Sequence, residues 1–123
     1  MVTKQLSNAE LEIMKIIWNS KEPLLFAQIT EALAANGSNW QKNTLITLLS
    51  RLMQKGYLKA NKQGRKNEYI SCITEQDFQA AQTKSFIDRI YEGNMTGLIA
   101  QLVQNDALTE AEYAQLKKIL EEK

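Results

Sequence analysis

Residues 42 to 73 read KNTLITLLSRLMQKGYLKANKQGRKNEYISCI, and the fold turns on a change of period inside them. From about Gln41 to Lys55, Leu45, Leu48, Leu49 and Leu52 recur at the spacing of one helix face, and Gly56 supplies the left-handed residue that ends such a helix. Beyond it, Tyr57 to Asn61 and Glu68 to Ile73 are short runs carrying Tyr and Ile, as strands do. K-Q-G-R-K-N joins them, and Gly64 can take the positive φ of a tight connection. The stretch is therefore predicted to be a helix followed by a β-hairpin with a basic tip.

Upstream, Ser7 and Glu10 stand at capping-box spacing, and Leu11, Met14, Ile17 and Trp18 then mark a helix to about Asn19. Lys21-Glu22-Pro23 breaks it. Phe26, Ile29, Ala32 and Leu33 mark a second helix, closed by Asn36-Gly37. Three helices and a hairpin in this order make a winged helix, a helix-turn-helix with a β wing. Trp18 and Trp40 read as core and loop anchors, and Cys72 as a buried, unreactive strand residue.

Downstream the pattern is helical only. Thr74 with Asp77 caps a run through Phe78, Ala81, Phe86, Ile87 and Ile90 to Gly93. A fifth helix carries Leu98, Ile99, Leu102 and Val103, and Thr109 with Glu112 caps a sixth bearing Tyr113, Leu116, Ile119 and Leu120. A three-helix segment this small buries too little surface to offset its chain entropy, so pairing with a second copy is expected. The predicted architecture is mainly α with a small β-hairpin: a winged-helix domain over residues 1–73 and a three-helix dimerisation domain over 74–123.

Charge divides the same way. Residues 1–73 carry ten Lys/Arg against five Asp/Glu, and residues 74–123 carry five against nine, so a net charge of +1 hides two opposite halves. Between 42 and 66 there are seven basic side chains and no acid. That stretch calls for a polyanion. Advancing about 100° per residue from Leu45 sets Asn43, Thr47, Ser50 and Gln54 opposite the leucines, with Thr44 and Arg51 on one flank and Ile46 and Met53 on the other. Asn and Gln can read adenine edges in a major groove, and an apolar group can meet a thymine methyl. Any solvated helix face could carry such a stripe; the hairpin, the missing acids and the oppositely charged second half favour DNA. Lys62, Arg65 and Lys66 at the wing suit phosphates better than bases.

Other chemistry is narrowed by what the composition lacks. With no histidine and one cysteine, Ser-His-Asp and Cys-His sites and Cys/His zinc patterns are excluded. No G-x-G or G-K-[ST] occurs among the five glycines. No enzyme activity, metal or cofactor is expected. Without a signal-peptide pattern or an apolar run of about 18 residues, a cytoplasmic protein with no membrane insertion is expected.

L-S-N-A-E-L-E-I-M-K-I-I-W at 6–18, N-T-L-I-T-L-L-S-R-L-M-Q-K-G-Y-L at 43–58 and F-I-D-R-I-Y-E-G at 86–93 together resemble the BlaI/MecI/CopY family of repressors over nearly the whole chain. The resemblance implies a winged-helix DNA-binding domain, a helical dimerisation domain, and repression at an inverted-repeat operator. It places base and phosphate contacts on Lys42, Asn43, Thr44, Ile46, Thr47 and Arg51. Asn43 and Ile46 depart from the basic or long polar residues usual there. In β-lactam-responsive members a membrane sensor leads to cleavage in the dimerisation domain, at a position matched here by Gln101-Leu102 in place of Asn-Phe. The metal-binding C-x-C cluster of copper-responsive members is missing.

The expected protein is a homodimeric repressor contacting operator DNA through Lys42, Asn43, Thr44, Ile46, Thr47, Ser50, Arg51, Lys62, Arg65 and Lys66. Its dimer seam is expected on Ile90, Leu98, Ile99, Leu102, Val103, Leu116, Ile119 and Leu120. Derepression through a sensor-protease pathway cutting at Gln101 and Leu102 is a further expectation. The alternative is a winged-helix interaction module whose basic face meets an acidic protein.

Overall fold

A computed structural model describes residues 5–122. The order is α1 (Asn8–Asn19), β1 (Leu24–Leu25), α2 (Phe26–Ala35), α3 (Lys42–Gln54), β2 (Leu58–Gln63), β3 (Lys66–Ser71), α4 (Glu75–Tyr91), α5 (Met95–Gln104) and α6 (Glu110–Glu121). The caps form as the spacing implies. Ser7 Oγ accepts from the Glu10 N–H while Glu10 Oε1 accepts from the Ser7 N–H, and Thr109 and Glu112 repeat the arrangement at α6.

Two compact units divide within α4, one running to Gln82 and the other beginning at Thr83. In the first, Ile13, Met14, Ile29, Leu33, Leu45, Leu49 and Leu52 form a core that the sheet covers through Leu58 and Tyr69. The sheet order is β1-β3-β2, antiparallel throughout. Strand β1 has no counterpart in the sequence reading: its two residues pair with Tyr69 and Glu68 and form a strand only through that long-range contact. The hairpin is longer than expected. Its connection shrinks to Gly64-Arg65, with Gly64 at φ 65°, the left-handed backbone that the first position of a primed two-residue turn requires. Gly56 closes α3 with φ 85°.

The first unit reaches past Ile73 because the start of α4 packs with it. Phe78 is 8% exposed. Its ring centroid lies 5.2 Å from that of Trp18 and 5.6 Å from that of Tyr57. Trp18 Nε1 donates to the Ser71 hydroxyl at 3.1 Å and to the Ile73 carbonyl at 2.9 Å, and Trp40 rests half-buried on the core. Cys72 corrects the expectation of a buried strand residue. It follows the end of β3 and is exposed, because Tyr69 points into the core and the pleat turns Ile70 and Cys72 the other way.

Among the described residues of this unit Glu10 is the buried charge, 2% exposed. Its Oε1 accepts from Lys55 Nζ at 2.8 Å, and Lys55 also donates to the Gln5 carbonyl. Burial alone would raise the Glu10 carboxyl; the hydrogen bonds from Lys55 and Ser7, with the Lys55 charge, outweigh it and hold the group below its ordinary value. Burial also pushes the Tyr57 hydroxyl up, and the Glu10 charge adds to this. Glu10 Oε2 has no hydrogen-bond partner. Lys55→Met should therefore cost about 3 kcal/mol at neutral pH, the low end for a broken buried pair because Lys55 is partly exposed. A depressed carboxyl stabilises fully above the ordinary carboxylate pKa and loses that contribution as pH falls through the folded value. In the variant only the Ser7 hydrogen bonds still oppose burial, so the carboxyl rises above its value in the parent. Its deficit against the parent should be widest at neutral pH and close in acid, which denaturant melts at the two pH values would check. Equal deficits would show that the pair is not the source.

In the second unit Ile87 is the one buried hydrophobic among the described residues. Tyr91, Leu98, Ile99, Leu108 and Leu116 are half-buried, and Phe86, Ile90, Met95, Leu102, Val103, Tyr113, Ile119 and Leu120 are exposed. One buried side chain is not a core, and so many exposed ones are what a covered surface looks like before it is covered. Among the described residues no helix is long and apolar enough to cross a membrane, and no group of His, Cys, Asp or Glu could hold a metal.

Candidate nucleic-acid interface

Burial of Leu45, Leu48, Leu49 and Leu52 fixes the rotation of α3 about its axis. Asn43, Thr47, Ser50 and Gln54 are consequently exposed together on the opposite side, with Lys42, Thr44, Ile46 and Arg51 exposed around them. Every α3 residue expected to meet DNA shares this outer surface, which carries no acid. Thr47 Oγ1 donates to the Asn43 carbonyl at 2.9 Å. Its proton is used within the helix, and its lone pairs remain to accept from a base amino group.

The first turn adds a feature that sequence reasoning missed. Gln41, at the N-cap, makes no side-chain cap bond and no acid lies in that turn. The leading N–H groups and the positive end of the helix dipole are thus left uncapped by any side chain beside Lys42, an arrangement suited to a phosphate. The only trace in the sequence is that residue 41 is none of the usual capping types. Lys55, in contrast, leaves the basic stretch for the interior through Glu10.

On the wing the pleat separates residues that the sequence grouped. Register places Leu58 opposite Ser71, Ala60 opposite Tyr69 and Lys62 opposite Asn67. Since Leu58 and Tyr69 are buried, this face turns toward the helices, and Lys62 extends it beyond the core. Lys66 lies on the other face with Gln63 and Glu68, where Gln63 Nε2 donates to Glu68 Oε1 at 3.1 Å. Glu68 is the hairpin's one acid. The helix-side face with Lys62, and the tip with Arg65, are therefore free of acids, while the face with Lys66 is not.

This architecture has counterparts among solved structures. The solution structure of the DNA-binding domain of the repressor BlaI matches with a TM-score of 0.54 at 36% identity, covering 63% of this chain and 90% of that one. The solution structure of Bacillus licheniformis BlaI in its monomeric form, in complex with the blaP half-operator, matches with a TM-score of 0.51 at 37% identity, covering 61% and 89%. Both overlaps are close to the share of this chain that the winged-helix unit makes up.

Whole-chain similarity goes further. The penicillinase repressor of Bacillus licheniformis is 36% identical over 118 residues, 96% of this chain and 91% of that protein. The methicillin resistance regulatory protein MecI of Mammaliicoccus sciuri is 31% identical over 121 residues, 98% and 97% of the two. A family model for the penicillinase repressor matches residues 6–122. Because that match runs through both units and leaves neither unaccounted for, the chain belongs to the penicillinase repressor family, whose members are transcriptional repressors and not enzymes.

Proposed function

We propose that the protein represses transcription as a homodimer on an inverted-repeat DNA operator, each protomer laying α3 in a major groove and its wing on the flanking phosphates. The observation that carries this reading is the acid-free outer surface of α3 in a winged helix whose BlaI counterpart, 37% identical, is described in complex with a half-operator. Asn43, Thr47, Ser50 and Gln54 face the bases. Lys42 and the first-turn amides hold one phosphate strand, with Thr44 and Arg51 on the other flank. Lys62 and Arg65 are the wing's phosphate contacts; Lys66, beside Glu68, contributes less.

In this reading the second unit supplies the dimer seam, with exposed Ile90, Leu102, Val103, Ile119 and Leu120 outermost and half-buried Leu98, Ile99 and Leu116 beneath them. The Gln101-Leu102 bond lies within α5, and a cut there by a sensor-protease pathway would part Ile90, Leu98 and Ile99 from Leu102, Val103 and the seam residues of α6.

The test is selection of binding sites from a randomised duplex pool, followed by titration of the enriched site across salt concentrations. If the dimer neutralises about eight phosphates, the slope of log K against log salt should be about −7. Arg51→Ala should weaken all sequences alike and lower that slope by about two, one per protomer, whereas Thr47→Ala should change the preferred base at one position by about 1–3 kcal/mol. A slope near zero, or no enriched sequence, would overturn the reading in favour of an acidic protein partner.

A further inference from the structure

Among the described residues of the first unit, Ile46 is the one large hydrophobic side chain left exposed, at 43%. Its place in the helix does not require an isoleucine. A β-branched residue loses χ1 freedom in a helix and forms helix less well than Lys, Gln or Ala, and the core is complete without it. Met53, on the same flank, packs against the core. Ile46 stands one turn from Lys42 and one turn from Ser50, on the surface that carries Asn43 and Thr47. An isoleucine can neither donate nor accept a hydrogen bond, so phosphates, carbonyls and amino groups are wrong partners for it. The one apolar group that the bases display in a major groove is the thymine C5-methyl.

We propose that Ile46 is a specificity-determining residue that packs against the C5-methyl of one thymine in each half-site. The inference rests on α3 entering the groove, as above, and adds which base is read there and by what contact. Desolvating a methyl against a half-exposed isoleucine favours thymine over any base without that group. The neighbouring Asn43 can pair with an adenine edge, so the two together favour an A·T-containing step.

Deoxyuridine removes the methyl and leaves every hydrogen-bonding group in place. The experiment titrates the full chain on its pool-selected site, with each thymine in turn replaced by deoxyuridine. At one thymine per half-site the replacement should weaken wild-type binding about three- to tenfold. Ile46→Ala, which removes an exposed side chain and improves helix propensity, should bind the thymine and uracil sites within about twofold of each other, at the wild-type affinity for uracil. Ile46→Val should keep most of the discrimination. If no thymine shows more than about a twofold effect, or if the loss persists unchanged in Ile46→Ala, the inference is overturned while the DNA reading stands. If the pool yields no enriched site, the DNA reading fails and takes the inference with it.

Discussion

Replacing Ile119 by Asp should turn the proposed dimer into monomers and lower operator affinity by about two to three orders of magnitude. Ile119 is 64% exposed on α6, in a unit with one buried hydrophobic among its described residues. At so open a position a carboxylate stays hydrated in the monomer and does little to its fold. Within a partner seam the same carboxylate would be buried without a counter-charge, which a dimer cannot tolerate. Leu116→Asp would be less decisive, because Leu116 is half-buried and its loss would disturb the unit itself. Monomers would leave the operator sooner, because two half-sites held together gain effective concentration that one half-site lacks. Sedimentation equilibrium and operator titration would measure both effects, with the thermal transition of the winged helix unchanged. A tight dimer at parental affinity would show that Ile119 lies outside the assembly surface, and the seam would then have to rest on α4 and α5.

Ending the chain after Ile73 should leave a winged helix about 3–4 kcal/mol less stable than one ended after Gln82. Phe78 is the reason. Its ring closes over Trp18 and Tyr57, and Ala81, one turn further along, is buried with it. A chain lacking residues 74–82 suffers at least the loss of a buried phenylalanine and exposes the faces of both rings. Denaturant unfolding of the two fragments would measure the difference, and Phe78→Ala in the full chain should reproduce most of it without moving the dimer equilibrium. Equal stabilities would return the boundary to Ile73.

Much of the candidate interface could be read locally. The leucine stripe of α3 names its inner face, so Asn43, Thr47, Ser50 and Gln54 had to be outside, and the capping boxes at Ser7 and Thr109 mark their helices through contacts three residues apart. Other features were out of reach because no short-range pattern carries them. Strand β1 is two residues long and exists by pairing with β3. Lys55 reads as one more basic side chain until α1 brings Glu10 to it across 45 residues of sequence. Cys72 depends on the parity of a strand whose inward residue is chosen by the core.

By itself, then, the sequence determined which segments are helical, where they start and stop, which face of α3 is apolar, and that seven basic side chains and no acid lie between 42 and 66. These are properties of period, cap and composition, and they act over a few residues. Tertiary structure alone decided that the first unit extends through Phe78 to Gln82, that Lys62 and Lys66 stand on opposite faces of the wing, that Lys55 turns inward, and that Ile46 stays exposed while its apolar neighbours are covered. Each of those outcomes depends on which surfaces come together to exclude water, a choice made between residues far apart in the chain that no local pattern encodes.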